Sequence, residues 1–109
     1  MSISLAIDTS TSRTIVGVIQ DGVTLFEKFH EGATDHGKAV SELVAEALRS
    51  TPPATEVVVG MGPGPFTGLR VGISFAHTFG LARSIPVIGV CSLDAMAAGI
   101  NKSEFIIST

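Results

Sequence analysis

A chain of 109 residues is one domain's worth of sequence, with room for a modest core. Seven Lys+Arg against ten Asp+Glu leave a net charge of −3 with no basic cluster, which argues against nucleic-acid binding by the chain alone, and the one cysteine, Cys91, excludes an internal disulfide framework and fits a reducing compartment. Charged residues are only 16% and mean hydropathy is +0.48, apolar for a small domain and a hint of a face that expects a partner. Met1–Ile7 lacks the basic start and long apolar segment of a signal peptide, so the chain is expected in the cytoplasm.

In chain order, Ser2–Ile7 (SISLAI) predicts a short apolar strand, followed by Asp8-Thr-Ser-Thr-Ser12, a hydroxyl-rich turn with one carboxylate. Arg13–Gln20 (RTIVGVIQ) is β-branched and strand-like, and Asp21-Gly22 is the two-residue signal of a type I′ hairpin with Val23–Phe29 as the return strand. Glu31–Gly37 reads as a loop with Asp35 as N-cap. Lys38–Ser50 predicts an amphipathic helix: Val40, Leu43, Val44, Ala47 and Leu48 face inward, and Lys38, Glu42, Glu46 and Arg49 lie opposite. Pro52-Pro53 ends it, and Val57–Val59 is the fourth strand.

Gly60–Ser84 (GMGPGPFTGLRVGISFAHTFGLARS) is the centre of the chain: a Gly/Pro turn, then a helix opened by Thr67. Within that helix Gly68, Gly72, Ala76 and Gly80 recur every four residues and so lie along one stripe. Each helical glycine costs roughly 1 kcal/mol relative to alanine, so the stripe implies close approach of another backbone. That neighbour is either the domain itself or a second protein; in membranes such a stripe marks helix pairing, but this apolar run is too short to span and contains His77. Val71, Phe75, Phe79 and Ala82 share a face expected on the sheet, and Arg70, Ser74, His77 and Leu81 share the opposite one. Ile85–Val90 is a fifth strand, Ser92 can cap a third helix through about Gly99, and Phe105–Ile107 reads as a further strand.

The pattern β-β-β-α-β-α-β-α predicts an α/β fold with a mixed five-stranded sheet of order 3-2-1-4-5 and flanking helices. Right-handed crossovers put the first two helices side by side on one face, where a second helix pair can dock.

The glycine turn is not a P-loop, because no Gly-Lys-[Ser/Thr] occurs, and not a dinucleotide fingerprint, because the third glycine would fall on Thr67. The backbone amides of Phe66–Leu69 leave an anion cradle open, beside the plainer reading of a tight turn. Asp8, Thr9 and Ser10 have two readings: holders of a metal–phosphate group, or a hydrogen-bonded turn that satisfies its own backbone. His30, His36 and His77 show no metal-ligand spacing; His36 reads as a helix-start residue, His77 as a surface residue and Cys91 as core.

Two stretches resemble the TsaB (YeaZ) family. Ile7–Thr11 (IDTST) looks like its opening strand and turn, and Gly62–Gly72 (GPGPFTGLRVG) is similar to its signature, usually GPGSFTGLRIG, with Pro65 where serine is usual. Pro86–Leu93 (PVIGVCSL) is similar to the family's P-x-x-G-V-S-S-L. The resemblance implies an actin-like ATPase (RNase H-like) domain over 1–103, with 104–109 as the start of the first strand of a second domain. It implies a role in forming threonylcarbamoyladenosine on tRNA, as a non-catalytic subunit that pairs with the catalytic TsaD or with itself, beside a small ATPase, TsaE. In that setting tRNA is met through the complex, and no cofactor, metal or membrane is expected. TsaD carries G-V-x-H-L-x-x-H, with two metal-binding histidines. The matching run Gly89–Met96 has Ser92 and Met96 in their places, a pair that cannot make a comparable hard-metal site and leaves a peptidase reading without ligands.

The expected partner-binding set is therefore Lys38 and Glu42 on the first helix with Gly68, Arg70, Gly72, Ser74, Ala76, His77, Gly80 and Leu81 on the second, and which side of the second helix meets the partner stays open. Asp8, Thr9 and Ser10 are expected as a vestigial nucleotide-binding turn, since Ser10 stands where actin-like ATPases usually carry glycine. The alternative is an ATPase or kinase half-domain that binds nucleotide through the Asp8 turn.

Overall fold

Runs of β-branched residues and a single hairpin signal organise the chain into one mixed sheet. The computed structural model describes residues 2–10, 12–32, 36–62, 67–90 and 106–107. Strands β1 (Ile3–Asp8), β2 (Arg13–Gln20) and β3 (Val23–Glu31) form an antiparallel meander, with Leu5 opposite Val18 and Val18 opposite Phe26. Asp21 and Gly22 have φ of 50° and 86°, the positive values that the expected type I′ turn requires of both central residues. An irregularity between Val18 and Ile19 breaks the register of β3.

Helix α1 (His36–Ser50) crosses to β4 (Glu56–Gly60), which lies parallel to β1; α2 (Thr67–Arg83) crosses to β5 (Val87–Val90), parallel to β4. The predicted order 3-2-1-4-5 is found, and Ile106–Ile107 (β6) adds a two-residue edge strand antiparallel to β5. The expectation for 104–109 was the opening of a second domain; here Ile106 and Ile107 pair with Ile88 and Val87 of the same sheet. The expected cap at Asp35, turn residues 63–66, Cys91, and the helix expected from Ser92 to Gly99 lie outside the described residues.

Ile3, Leu5 and Ile7 alternate on β1 and join Val16, Val18, Val57, Val59 and Val87 in one face of the sheet. Val40, Val44 and Ala47 of α1 close over that face, as the 3.6-residue period predicts, with Leu43 and Leu48 half-buried beside them. Each fully buried Val, Leu or Ile contributes about 1.5–3 kcal/mol, so this shared face is the main source of stability. Both helices pack on it, side by side, as right-handed crossovers require.

The orientation of α2 differs from expectation. Gly68, Gly72, Ala76 and Gly80 are its buried positions, while Val71, Phe75 and Phe79 are half-buried and Ala82 is exposed. The small stripe therefore lies deepest on the sheet; of the row expected there, Phe75 and Phe79 pack against the core from its side, together with Ile73, and Ala82 is turned outward. The helix ends in a Schellman motif: Ser84 N–H donates to the Leu81 carbonyl (3.3 Å) and Ile85 N–H to the Gly80 carbonyl (3.0 Å), with Ser84 at φ 57°.

Candidate functional site

The sheet brings the polar turn after β1 against the end of β4 and the first turns of α2. Asp8, Thr9 and Ser10 are all buried. The Asp8 Oδ1 atom accepts the Ser10 N–H at 2.7 Å and the Ser10 hydroxyl at 2.6 Å, an Asx-type turn closed within three residues. The register that sets Ile7 beside Val59 carries the Asp8 carboxyl over Gly60, where an added Cβ would stand 2.6 Å from its carboxyl carbon. Glycine at position 60 is thus the condition for the Asp8 side chain to lie where it does.

Thr9 points the other way, into α2. Its hydroxyl donates to the Gly68 carbonyl at 2.5 Å and accepts the Gly72 N–H at 3.0 Å. Those are the two groups that an α-helix joins, i−4 to i, so the hydroxyl engages both ends of one helical rung. A Cβ on Gly72 would meet that oxygen at 2.6 Å. The turn thus bonds within its own chain, Asp8 to Ser10 and Thr9 to backbone groups of α2. Among the described residues no group of three or more His, Cys, Asp or Glu side chains is arranged to hold a metal ion.

The small stripe is a correction to the expected partner-binding set. Gly68 and Gly72 are covered by His36 and Thr9, Ala76 is fully buried in the core, and Gly80 is buried with its carbonyl engaged in the helix cap. The physical reason is the approach of the β1 turn and the His36 ring, which leaves no space for a side chain at Gly68 and Gly72. Of the remaining expected residues, Arg70, Ser74 and Leu81 of α2 and Lys38 and Glu42 of α1 are exposed, and His77 is half-buried. Leu81 is 59% exposed, a large apolar side chain on the outer side of the helix layer.

The arrangement also contains a joint that helix periodicity does not disclose. His36, the first residue of α1, is buried, and its Nδ1 is hydrogen-bonded to the fully buried Thr14 hydroxyl of β2 at 2.6 Å. The opposite edge of the ring, Cδ2 and Nε2, occupies the space beside Gly68. The one available signal was parity: Thr14 alternates with Val16 and Val18 and so points to the helix side.

The family model described as "TsaD: tRNA N6-adenosine threonylcarbamoyltransferase" matches residues 30–106, more than half of the chain. An uncharacterized protein of Mycobacterium leprae is 41% identical over 116 residues, covering 99% of this chain and 32% of that protein. The Escherichia coli tRNA threonylcarbamoyladenosine biosynthesis protein TsaB is 34% identical over 99 residues, 87% of this chain and 42% of the relative. Among solved structures, a Pseudomonas aeruginosa protein described as similar to peptidase YEAZ superposes with a TM-score of 0.75 at 28% identity, over 83% of this chain and 43% of that one. The chain thus spans less than half the length of these relatives. With the sheet order, the Asp8 turn and the stripe of α2 in place, the matches show that this chain belongs to the TsaD family of tRNA threonylcarbamoyladenosine proteins, on its TsaB (YeaZ) side.

Proposed function

We propose that this chain serves threonylcarbamoyladenosine formation on tRNA as a non-catalytic scaffold, pairing through the outer faces of α1 and α2 with a TsaD-type catalytic subunit or with a second copy. The observation that carries the reading is the internal use of the polar turn. Asp8 is closed over Gly60 and bonded to Ser10, and Thr9 is spent on the backbone of α2, so the groups that an actin-like ATPase would turn toward nucleotide are engaged within the domain. What the helix layer offers outward is a surface: Lys38 and Glu42 on α1, Arg70, Ser74 and the exposed Leu81 on α2. Such a mixed rim around an apolar contact suits a pairing face. The pathway is supported by the names of the relatives. On this reading a TsaE-type ATPase joins the complex, tRNA is met through the catalytic subunit, and the setting is cytoplasmic. Among the described residues no helix is long and apolar enough to cross a membrane.

The test is calorimetric titration of this chain with a TsaD-type subunit, with light scattering for self-pairing. Binding is expected, and Leu81→Glu is expected to abolish it while leaving the melting temperature unchanged. Absence of both kinds of pairing, or unchanged pairing of the Leu81 variant, overturns the reading. A parallel titration with Mg-ATP is expected to give no binding heat; binding that Asp8→Ala abolishes would instead support the ATPase or kinase half-domain.

A further inference from the structure

We propose that His36 is a positioning residue for the pairing face: its buried ring is the spacer that fixes how closely α2 approaches α1. The inference rests on the reading that α1 and α2 form that face.

His36 is 5% exposed at the first position of α1. Its Nδ1 is held at 2.6 Å by the hydroxyl of Thr14, which is itself 0% exposed on β2. The other edge of the ring is set against Gly68, the second residue of α2, where a Cβ would meet Cδ2 at 2.4 Å and Nε2 at 2.7 Å. One ring therefore touches three elements, α1, β2 and α2. Hydrophobic burial alone would be served by a leucine here, and a buried polar group is tolerated only when hydrogen-bonded. What the bond to Thr14 adds is direction. It holds the imidazole in one orientation, and glycine at 68 means that the ring edge meets α2 with no intervening side chain to absorb a shift.

The joint lies at the amino-terminal ends of both helices, close to two of the proposed contact residues. Lys38 follows His36 by two residues, and Arg70 follows Gly68 by two. A change in the ring displaces those exposed positions relative to each other, and two-helix surfaces depend on that spacing.

The experiment measures pairing of His36→Ala, Gly68→Ala and the double variant with a TsaD-type subunit, by calorimetry at a temperature where circular dichroism shows each variant fully folded. Either single change, removing the spacer or overfilling it, is expected to weaken pairing about tenfold. In the double variant the new methyl group enters the space the ring vacates, and the loss is expected to be smaller than the product of the two single losses. Val44→Ala opens a cavity beneath α1 away from the joint; it is expected to lower stability without changing the pairing constant, which separates positioning from general loosening. Thr14→Val keeps the volume and removes the orienting bond, so it carries the test if the single variants do not fold, with pairing weakened severalfold as the expected result. Folded His36→Ala or Thr14→Val protein that pairs like the wild type, or a double variant whose loss equals the product of the single losses, overturns the proposal. Failure of the wild-type chain to pair is a different result: it removes the pairing reading itself, before any substitution is made.

Discussion

The hydroxyl of Thr9 accepts the N–H of Gly72 at 3.0 Å, a side-chain bond made to the backbone of α2. It also donates to the carbonyl of Gly68, so one hydroxyl binds both ends of a single helical rung. This ties the turn after β1 to α2 through backbone groups, a connection between residues 63 apart in sequence. The turn after β1 is thereby clamped to the first turns of α2.

Replacing Thr9 by valine keeps the shape and removes the hydroxyl. The two bonds that tie the turn after β1 to the Gly68 carbonyl and the Gly72 N–H are then lost at a buried site. The loss is expected to cost about 1–3 kcal/mol. Thr9→Ser keeps the bridging oxygen and is expected to lose less. Urea unfolding of the two variants checks the order; equal losses would show that the methyl group, not the hydroxyl, holds the joint.

Two glycine-to-alanine changes in the helices are expected to have opposite signs. At Gly72 the alanine Cβ meets Thr9 Oγ1 at 2.6 Å, and overpacking of about 1–3 kcal/mol outweighs the roughly 1 kcal/mol gain in helix propensity. At Gly37, in the first turn of α1, nothing lies within 4 Å of the added atom. There the stiffer unfolded chain is expected to stabilise the protein by about 0.4–1 kcal/mol. Melting curves decide it: a stabilised Gly72→Ala would contradict the close approach on which the clamp depends.

Ser84 holds φ 57° at the position after α2, a left-handed conformation that suits glycine better than any residue with a Cβ. Ser84→Gly is expected to raise stability by about 0.5–1 kcal/mol, after allowance for the greater freedom glycine gains in the unfolded chain. Chemical denaturation measures it, and a destabilised variant would mean that the serine side chain makes contacts that outweigh the backbone strain.

Much of the architecture was legible in local chemistry. Asp21-Gly22 specifies a two-residue turn with positive φ, so β2 and β3 follow from it, and Gln20 does face Val23 across the loop. The apolar row Val40, Val44 and Ala47 names the inner face of α1 because charged residues mark the other side. Once three antiparallel strands precede two helical crossovers, handedness leaves the order 3-2-1-4-5.

What the sequence by itself determined, then, is the elements, their order and the layer in which both helices lie. The tertiary structure alone decided which side of α2 is inside. That helix is apolar or small over most of its circumference, so its period defines faces without ranking them, and the Phe75–Phe79 row was as good a candidate for the sheet as the glycines. The choice falls to neighbours distant in sequence: the Thr9 hydroxyl needs backbone partners, and the His36 ring, held by Thr14, needs the space beside Gly68. Only a row without side chains accommodates both, so the small stripe turns inward and Arg70, Ser74 and Leu81 are left on the surface.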